Sequence, residues 1–262
     1  MFNAAKRISN EKIDCWSVFT PLANNTPNCV NLGQGFPSSP PPSYILQMPP
    51  VSGNQYSPPS GIPDLKAAVS KYYEKWNISG DVCVTAGANE AIYATLAAYI
   101  NPGDEVIVFE PFFDQYLSNI TFQGGIIKAV ALEPPNWTIP YQQLRDTITD
   151  KTKIIIFNSP HNPSGKVFRY EEMLELSQIV KNKNILVIAD EVYAELTFDQ
   201  QHIPFANLPD MYDYTITIGS AGKMFSCTGW RIGWAIGKPS IIHNVLATNL
   251  DAFSTHSNCV LP

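Results

Sequence analysis

The sequence predicts an α/β fold with a mostly parallel sheet covered by helices on both faces, and three observations carry that prediction. Short β-branched runs alternate with stretches of helical period over most of the chain. Runs such as Ile185 to Ala189 are apolar at every position, as a strand covered on both sides requires. Several of these runs end abruptly in polar or small residues, the pattern of strands delivering side chains to one edge of a sheet.

The opening reads differently. Of the 22 prolines, nine lie between Pro37 and Pro63, so residues 1–62 are expected to form an extended arm. From Pro63 the pattern changes, because Leu65, Ala68, Val69, Tyr72, Tyr73 and Trp76 recur at i, i+3, i+4, i+7 behind a Pro and an Asp, the start of an amphipathic helix. Strands are expected at Val82 to Thr85, Glu105 to Phe109, Ile154 to Phe157, Ile185 to Ala189 and Tyr214 to Ile218. Helices are expected at Asn89 to Tyr99 and Tyr170 to Lys181. Residues 63–240 are read as the main domain. A helix near Ser240 would open residues 241–262, which read as the lead into a further domain.

Composition narrows the function. With 17 Lys+Arg against 23 Asp+Glu in 262 residues, the net charge is −6 and no basic block exists, which argues against nucleic acid or an anionic membrane as partner. No apolar run approaches the ~20 residues of a membrane span, and Met1 to Arg7 lacks the apolar stretch of a secretory signal. An intracellular protein is expected. The cytosol is placed ahead of the mitochondrion because Glu11 and Asp14 arrive early for a presequence. Five scattered cysteines have neither metal-ligand nor redox spacing and read as reduced thiols.

Four strand ends carry the chemistry. After the first strand, Gly87-Ala88-Asn89 opens a helix whose free N–H groups suit a phosphate, although a plain strand-to-helix turn has the same look. After Phe157 comes Asn158 to Lys166, where two prolines bracket Asn162; a bland turn reads the same way, and His161 reads as a loop hydrogen-bonder. Asp190 ends a wholly apolar strand, where a charge needs a cation or several donors; Asp190 with Glu191 could be a metal pair, but no third ligand falls at metal spacing, so no metal is assigned. After Ile218, Lys223 sits among small and apolar neighbours that would leave its ammonium poorly solvated, the setting of a Schiff-base nucleophile. The spacing of neither a nucleotide P-loop nor a dinucleotide turn is present.

Together, Asp190-Glu191-Val192-Tyr193, Ser220-Ala221-Gly222-Lys223, Gly229 to Trp234 and Asn162-Pro163-Ser164-Gly165 resemble the class I, fold-type I aminotransferases that use pyridoxal 5′-phosphate (PLP). Asn31 to Pro37, Asn54-Gln55-Tyr56, Glu110 to Tyr116 and Pro160 to Pro163 look more narrowly like the kynurenine aminotransferase, glutamine transaminase K and cysteine-S-conjugate β-lyase group, its fungal members nearest. The resemblance implies that Lys223 anchors PLP covalently and shuttles a proton, that Asp190 pairs with the ring nitrogen, and that Asn162 and Tyr193 bond the ring 3′-oxygen. It implies Phe113 on the ring face, the phosphate held by Gly87, Ala88, Asn89, Ser220 and Arg231, and Tyr56 reaching the phosphate of a neighbouring subunit in a homodimer. Trp16, Gly35 and Asn162 would face the substrate, an amino acid or 2-oxo acid.

The family's smaller second domain, with the arginine that grips the substrate carboxylate, would follow the region where this sequence stops; Ser43 to Gly53 also holds Pro49-Pro50 where the family has a helix. The resulting expectation is transamination of kynurenine or a related aromatic or sulfur amino acid. Elimination from cysteine S-conjugates at the same site, or a non-catalytic module that keeps a cofactor-shaped cleft, are the alternatives.

Overall fold

The structure is a computed structural model, which describes residues 5, 7, 15–33, 35, 37–47 and 56–253. Its centre is a seven-stranded sheet made of β1 (Asp81–Thr85), β2 (Glu105–Glu110), β3 (Ile126–Ala131), β4 (Thr152–Asn158), β5 (Leu186–Asp190), β6 (Thr215–Ser220) and β7 (Gly233–Gly237), in the order β1-β7-β6-β5-β4-β2-β3. All neighbouring pairs are parallel except those of β7, which runs antiparallel to both β1 and β6. The five strands expected from sequence are present. The two not expected have local reasons: β3 lies at the sheet edge with most of its side chains partly or fully exposed, and β7, Gly-Trp-Ala-Ile-Gly, is bounded by glycines instead of β-branched residues.

Nine helices are described: α1 (Cys15–Asn24), α2 (Ser43–Leu46), α3 (Pro63–Glu74), α4 (Ala88–Tyr99), α5 (Gln115–Phe122), α6 (Tyr141–Thr147), α7 (Tyr170–Lys183), α8 (Ala221–Met224) and α9 (Pro239–Phe253). Alternation along the apolar strands sorts them onto two faces. Ile107, Phe109, Ile155, Phe157, Val187 and Ala189 point to one core, which Leu144 of α6 and Met173, Leu176 and Val180 of α7 complete. Val106, Val108, Ile154, Ile156, Ile188 and Ile218 point to the other, against Ile92 and Leu96 of α4, Ile120 of α5 and Ile242 and Val245 of α9. α3 closes a third cluster over β1 and β7, where Trp234 Nε1 donates to Tyr73 Oη at 3.1 Å.

The opening arm is not extended throughout. α1 forms ten residues of helix despite Pro21, and α2 adds one turn before the proline pair at 49–50, which lies outside the described residues. At the other end, the helix expected near Ser240 is present as α9, which starts at Pro239 and packs into the core through Ile242 and Val245.

The registers bring distant residues into one row. Thr85 pairs with Gly233, Ser220 pairs with Gly233, and Asp190 pairs with both Asn158 and Ile218, so the four polar ends read from sequence lie side by side on one edge of the sheet. This row requires close approach at its β1–β7 end. A Cβ on Gly233 would fall 2.4 Å from Ala88 N and from Gly87 C, both backbone atoms. Gly233→Ala should therefore cost about 1–3 kcal/mol of stability, whereas Gly229→Ala, where a Cβ meets nothing within 4 Å, should be near neutral; urea unfolding of the two variants compares them directly.

Candidate active site

The centre of the row is Asp190. Its carboxylate is 4% exposed at the end of β5. Burial pushes its carboxyl up to about 6, with Glu191 adding in the same direction; hydrogen bonds from Tyr116 and the Val192 N–H, and the charge of Lys223, pull the other way. Tyr116 Oη, from α5, donates to Asp190 Oδ2, and Val192 N–H reaches Oδ1 at 3.4 Å.

Asn158 locks the neighbouring loop to the same strand end. Its Nδ2 donates to the Asp190 carbonyl at 2.7 Å while its Oδ1 accepts the Asn162 N–H at 2.7 Å. Asn162 Nδ2 then donates to Tyr193 Oη at 3.4 Å. Burial, with the Asp190 charge, pushes the Tyr193 phenol up to about 12, so it stays protonated and able to donate. The preceding loop residue, His161, is a buried hydrogen-bonder as the sequence suggested: Nδ1 meets Ser164 Oγ at 2.7 Å, and burial holds the ring down to about 4, neutral at physiological pH.

Lys223 stands on α8, half-buried, with Nζ 5.5 Å from the centre of the Tyr193 ring and 3.2 Å from the Gly35 carbonyl, to which it donates. Desolvation lowers its pKa, the Arg231 charge lowers it further, and Asp190 opposes both. That shift enlarges the fraction of neutral amine, the nucleophilic form.

Arg231 adopts a left-handed backbone, φ +55°, two residues before β7. Its guanidinium is seated against the start of α4: a Cβ on Gly87 would fall 2.5 Å from an Arg231 terminal nitrogen, and Gly87 itself has φ +86°. The first-turn amides of Ala88 and Asn89 lie where helix N–H groups have no intrahelical partner. Asn89 Oδ1 accepts from Asn119 at 2.8 Å, which fixes that turn to α5. Guanidinium, amides and helix dipole thus present positive potential at one place, a site suited to a phosphate-like anion.

Of the other expected residues, Ser220 closes β6 immediately before α8, and Phe113 lies half-buried, edge-on to Tyr116 with ring centres 5.7 Å apart. Gly35 is brought to Lys223. Trp16 is half-buried on α1 and Tyr56 is 88% exposed, so no described contact draws either into the cluster around Lys223.

The Asp190–Glu191 pairing considered as a metal site is not formed by the two carboxylates. Adjacent residues at a strand end point to opposite faces, and Glu191 turns to the other core, accepting from the Phe205 N–H at 2.8 Å and meeting His202 Nε2 at 3.0 Å. Two contributors carried no assignment from sequence. Asn158 was visible only as the first residue of a polar run, and Tyr116 only as an aromatic three residues after Phe113.

A mostly parallel sheet with one inserted antiparallel strand, bringing a lysine of lowered pKa, a buried acid and an anion cradle to the same strand ends, is the fold of the fold-type I aminotransferases. The match to the aminotransferase class I and II family model runs over residues 27–260, and the chain belongs to that family, whose members depend on PLP. Within it, the chain is 41% identical to a kynurenine–oxoglutarate transaminase of Dictyostelium discoideum, covering 95% of this chain and 63% of that protein. It is 43% identical to a probable kynurenine–oxoglutarate transaminase of Saccharomyces cerevisiae, covering 87% and 58%. The solved N-succinyldiaminopimelate aminotransferase of Mycobacterium tuberculosis superposes with a TM-score of 0.93 at 35% identity, over 99% of this chain and 71% of that one. The chain therefore spans about three fifths of the length of these two curated relatives.

Two stability measurements follow from the geometry. Because the folded-state carboxyl of Asp190 lies above its ordinary value of 3.8, the strain of holding it ionised is present above about pH 6 and relieved as pH falls toward 4. Asp190→Asn should accordingly be more stable than the parent at pH 8, by up to about 2–3 kcal/mol, with the gain gone at pH 4, as urea unfolding at both pH values would show. Glu191→Ala leaves the buried imidazole of His202 and the Phe205 N–H unpaired, and should lose about 2–3 kcal/mol at pH 8 in the same assay.

Proposed function

We propose that this chain binds PLP and that the protein transfers the amino group of kynurenine, or of a related aromatic or sulfur amino acid, to a 2-oxo acid. The observation that carries the proposal is the meeting of Lys223, Asp190, Tyr193 and Asn162 at one end of the sheet, beside the cradle of Gly87 and Arg231. Kynurenine is favoured over other amino acids by the two relatives of that name at 41% and 43% identity.

The residues fit the cofactor. Arg231, Ser220 and the amides of Ala88 and Asn89 would hold its phosphate, and the absent Cβ of Gly87 is what admits the guanidinium to that place. PLP, when bound, supplies an electron sink that stabilises negative charge at the substrate Cα. Asp190 would hold a proton on the ring nitrogen, and its carboxylate is ionised at neutral pH despite burial. Tyr193 and Asn162 would hydrogen-bond the ring 3′-oxygen, and Phe113 would cover the ring face. Lys223, its amine made more nucleophilic by desolvation, would be the covalent anchor and then the base that takes the proton from the substrate Cα and delivers it to C4′ of the cofactor. Trp16 and Gly35 would shape the substrate side; the Gly35 carbonyl already reaches the Lys223 ammonium.

The same reading includes a homodimer, in which the exposed Tyr56 would serve the partner's phosphate site, and a cytosolic setting ahead of a mitochondrial one. Among the described residues no helix is long and apolar enough to cross a membrane.

Incubation of the chain with PLP, borohydride reduction and peptide mass mapping should find a pyridoxyl group on Lys223, and Lys223→Ala should lose it while keeping its unfolding midpoint. An adduct elsewhere, or none, would remove Lys223 from this role. Gly87→Ala, which drives a Cβ into the guanidinium and strains a φ of +86°, should weaken PLP binding at least about tenfold, the loss of one charge-assisted hydrogen bond, in a fluorescence titration. Amino-acid dependence with and without a 2-oxo acid then separates transfer from elimination, since only elimination releases ammonia without an acceptor.

A further inference from the structure

Among the described residues, two groups donate hydrogen bonds to the Asp190 carboxylate. Oδ2 accepts the hydroxyl of Tyr116, whereas the bond described for Oδ1 is a long one, 3.4 Å, from the Val192 N–H. The two oxygens are therefore unequal: one is committed to the protein, and the other keeps acceptor capacity to spare.

The donor is placed with some care. Tyr116 is 2% exposed, packed in the core that α4 and α5 share with the sheet, and its ring stands edge-on to Phe113 at 5.7 Å. Burial and the neighbouring Asp190 charge raise its phenol well above the usual tyrosine range, so it acts only as a donor at any physiological pH. The other titratable groups whose charge reaches Asp190 are Glu191, next in the chain, Tyr193 on the loop beyond it, and Lys223 on α8. From the flanking strands come the neutral Asn158 and the apolar Ile218. Among these, Tyr116 alone gives Asp190 a short side-chain hydrogen bond.

We propose that Tyr116 is a positioning residue for Asp190: its hydroxyl occupies Oδ2, keeps the carboxylate ionised, and reserves Oδ1 for the donor of the ligand, which on the reading above is the ring nitrogen of PLP. The same side chain abuts Phe113, expected on the ring face, so one buried phenol sets both the edge and the face of the cofactor site. Its action is through Asp190, without contact to the reacting atoms.

Tyr116→Phe keeps the ring, its packing and the contact with Phe113, and removes only the donor. Two titrations on the 262-residue chain test the proposal. In cofactor-free protein labelled with 13C at aspartate carboxyls, with Asp190→Asn used to assign the signal, the Asp190 midpoint should rise in Tyr116→Phe by about one pH unit, a tenfold change in its proton equilibrium. In a PLP titration followed by absorbance between pH 5 and 9, the acid limb of affinity should move up by the same amount while affinity at pH 9 stays close to the parent's. The sign follows from the carboxylate: pairing with a protonated ring nitrogen is present above the Asp190 midpoint and lost as pH falls through it. An unmoved carboxyl midpoint, or an affinity lowered equally at every pH, would overturn the proposal and leave Tyr116 a packing residue. If the parent chain binds no PLP at any pH, the cofactor reading is what fails, and the cofactor-free carboxyl titration tells that failure apart from failure of the Tyr116–Asp190 coupling.

Discussion

A carboxylate at the end of an entirely apolar strand is the constraint on which the rest of this structure turns. Leu186 to Ala189 run between two hydrophobic cores, and the strand then delivers Asp190 into surroundings that oppose its ionisation. A charge in that position must be compensated from outside its own strand. The compensation comes from α5 through Tyr116, from the following turn through the Val192 N–H and from α8 through the charge of Lys223. Elements already packed into the same sheet are thereby also tied to one polar point. The neighbouring acid makes the contrast plain: Glu191 faces the opposite core, is matched by His202 and a backbone amide, and serves as a tether for the segment that carries Tyr193.

The sheet supplies the convergence through register. Since Thr85, Gly233 and Ser220 lie in one row with Ile218, Asp190 and Asn158 in the next pairings, the polar strand ends meet without any long side chain having to reach for them. The one antiparallel strand matters here. β7 enters the row from the opposite direction, so its first residue, two after Arg231, is level with the last residues of β1 and β6. That is how a guanidinium from late in the sequence comes to rest against the helix that follows the first strand.

Much of this was legible in the sequence because the physics was local. Short β-branched and apolar runs identified five of the seven strands, the Pro63 start and its apolar spacing identified α3, and a lone acid or lysine against apolar neighbours identified Asp190 and Lys223. Where the determinants were not local, the reading ran short. β3 has too weak a pattern to stand apart from an edge loop, β7 is hidden by its glycines, and α5 and α6 are short helices whose apolar faces gain meaning only against the sheet. Tyr116 is the clearest case: its residue type is common in cores, and only the pairing of α5 with the end of β5 shows that its hydroxyl faces a carboxylate. The proline cluster from Pro37 to Pro63 led the whole opening to be read as extended, yet α1, which lies ahead of it, is helical.

The antiparallel strand also bears on when the site can exist. The row is closed by the pairing of Thr85 with Gly233, two positions separated by more than half of the chain. Contacts of such long separation form late, because the intervening loop must first be ordered. During synthesis the strands β1 to β6 can emerge and begin to pair while the place between β1 and β6 stays open, and β7 is the last piece to fill it. The anion cradle and the completed sheet thus depend on the same segment: the stretch that fills the gap between β1 and β6 is the one that carries the Arg231 guanidinium to Gly87.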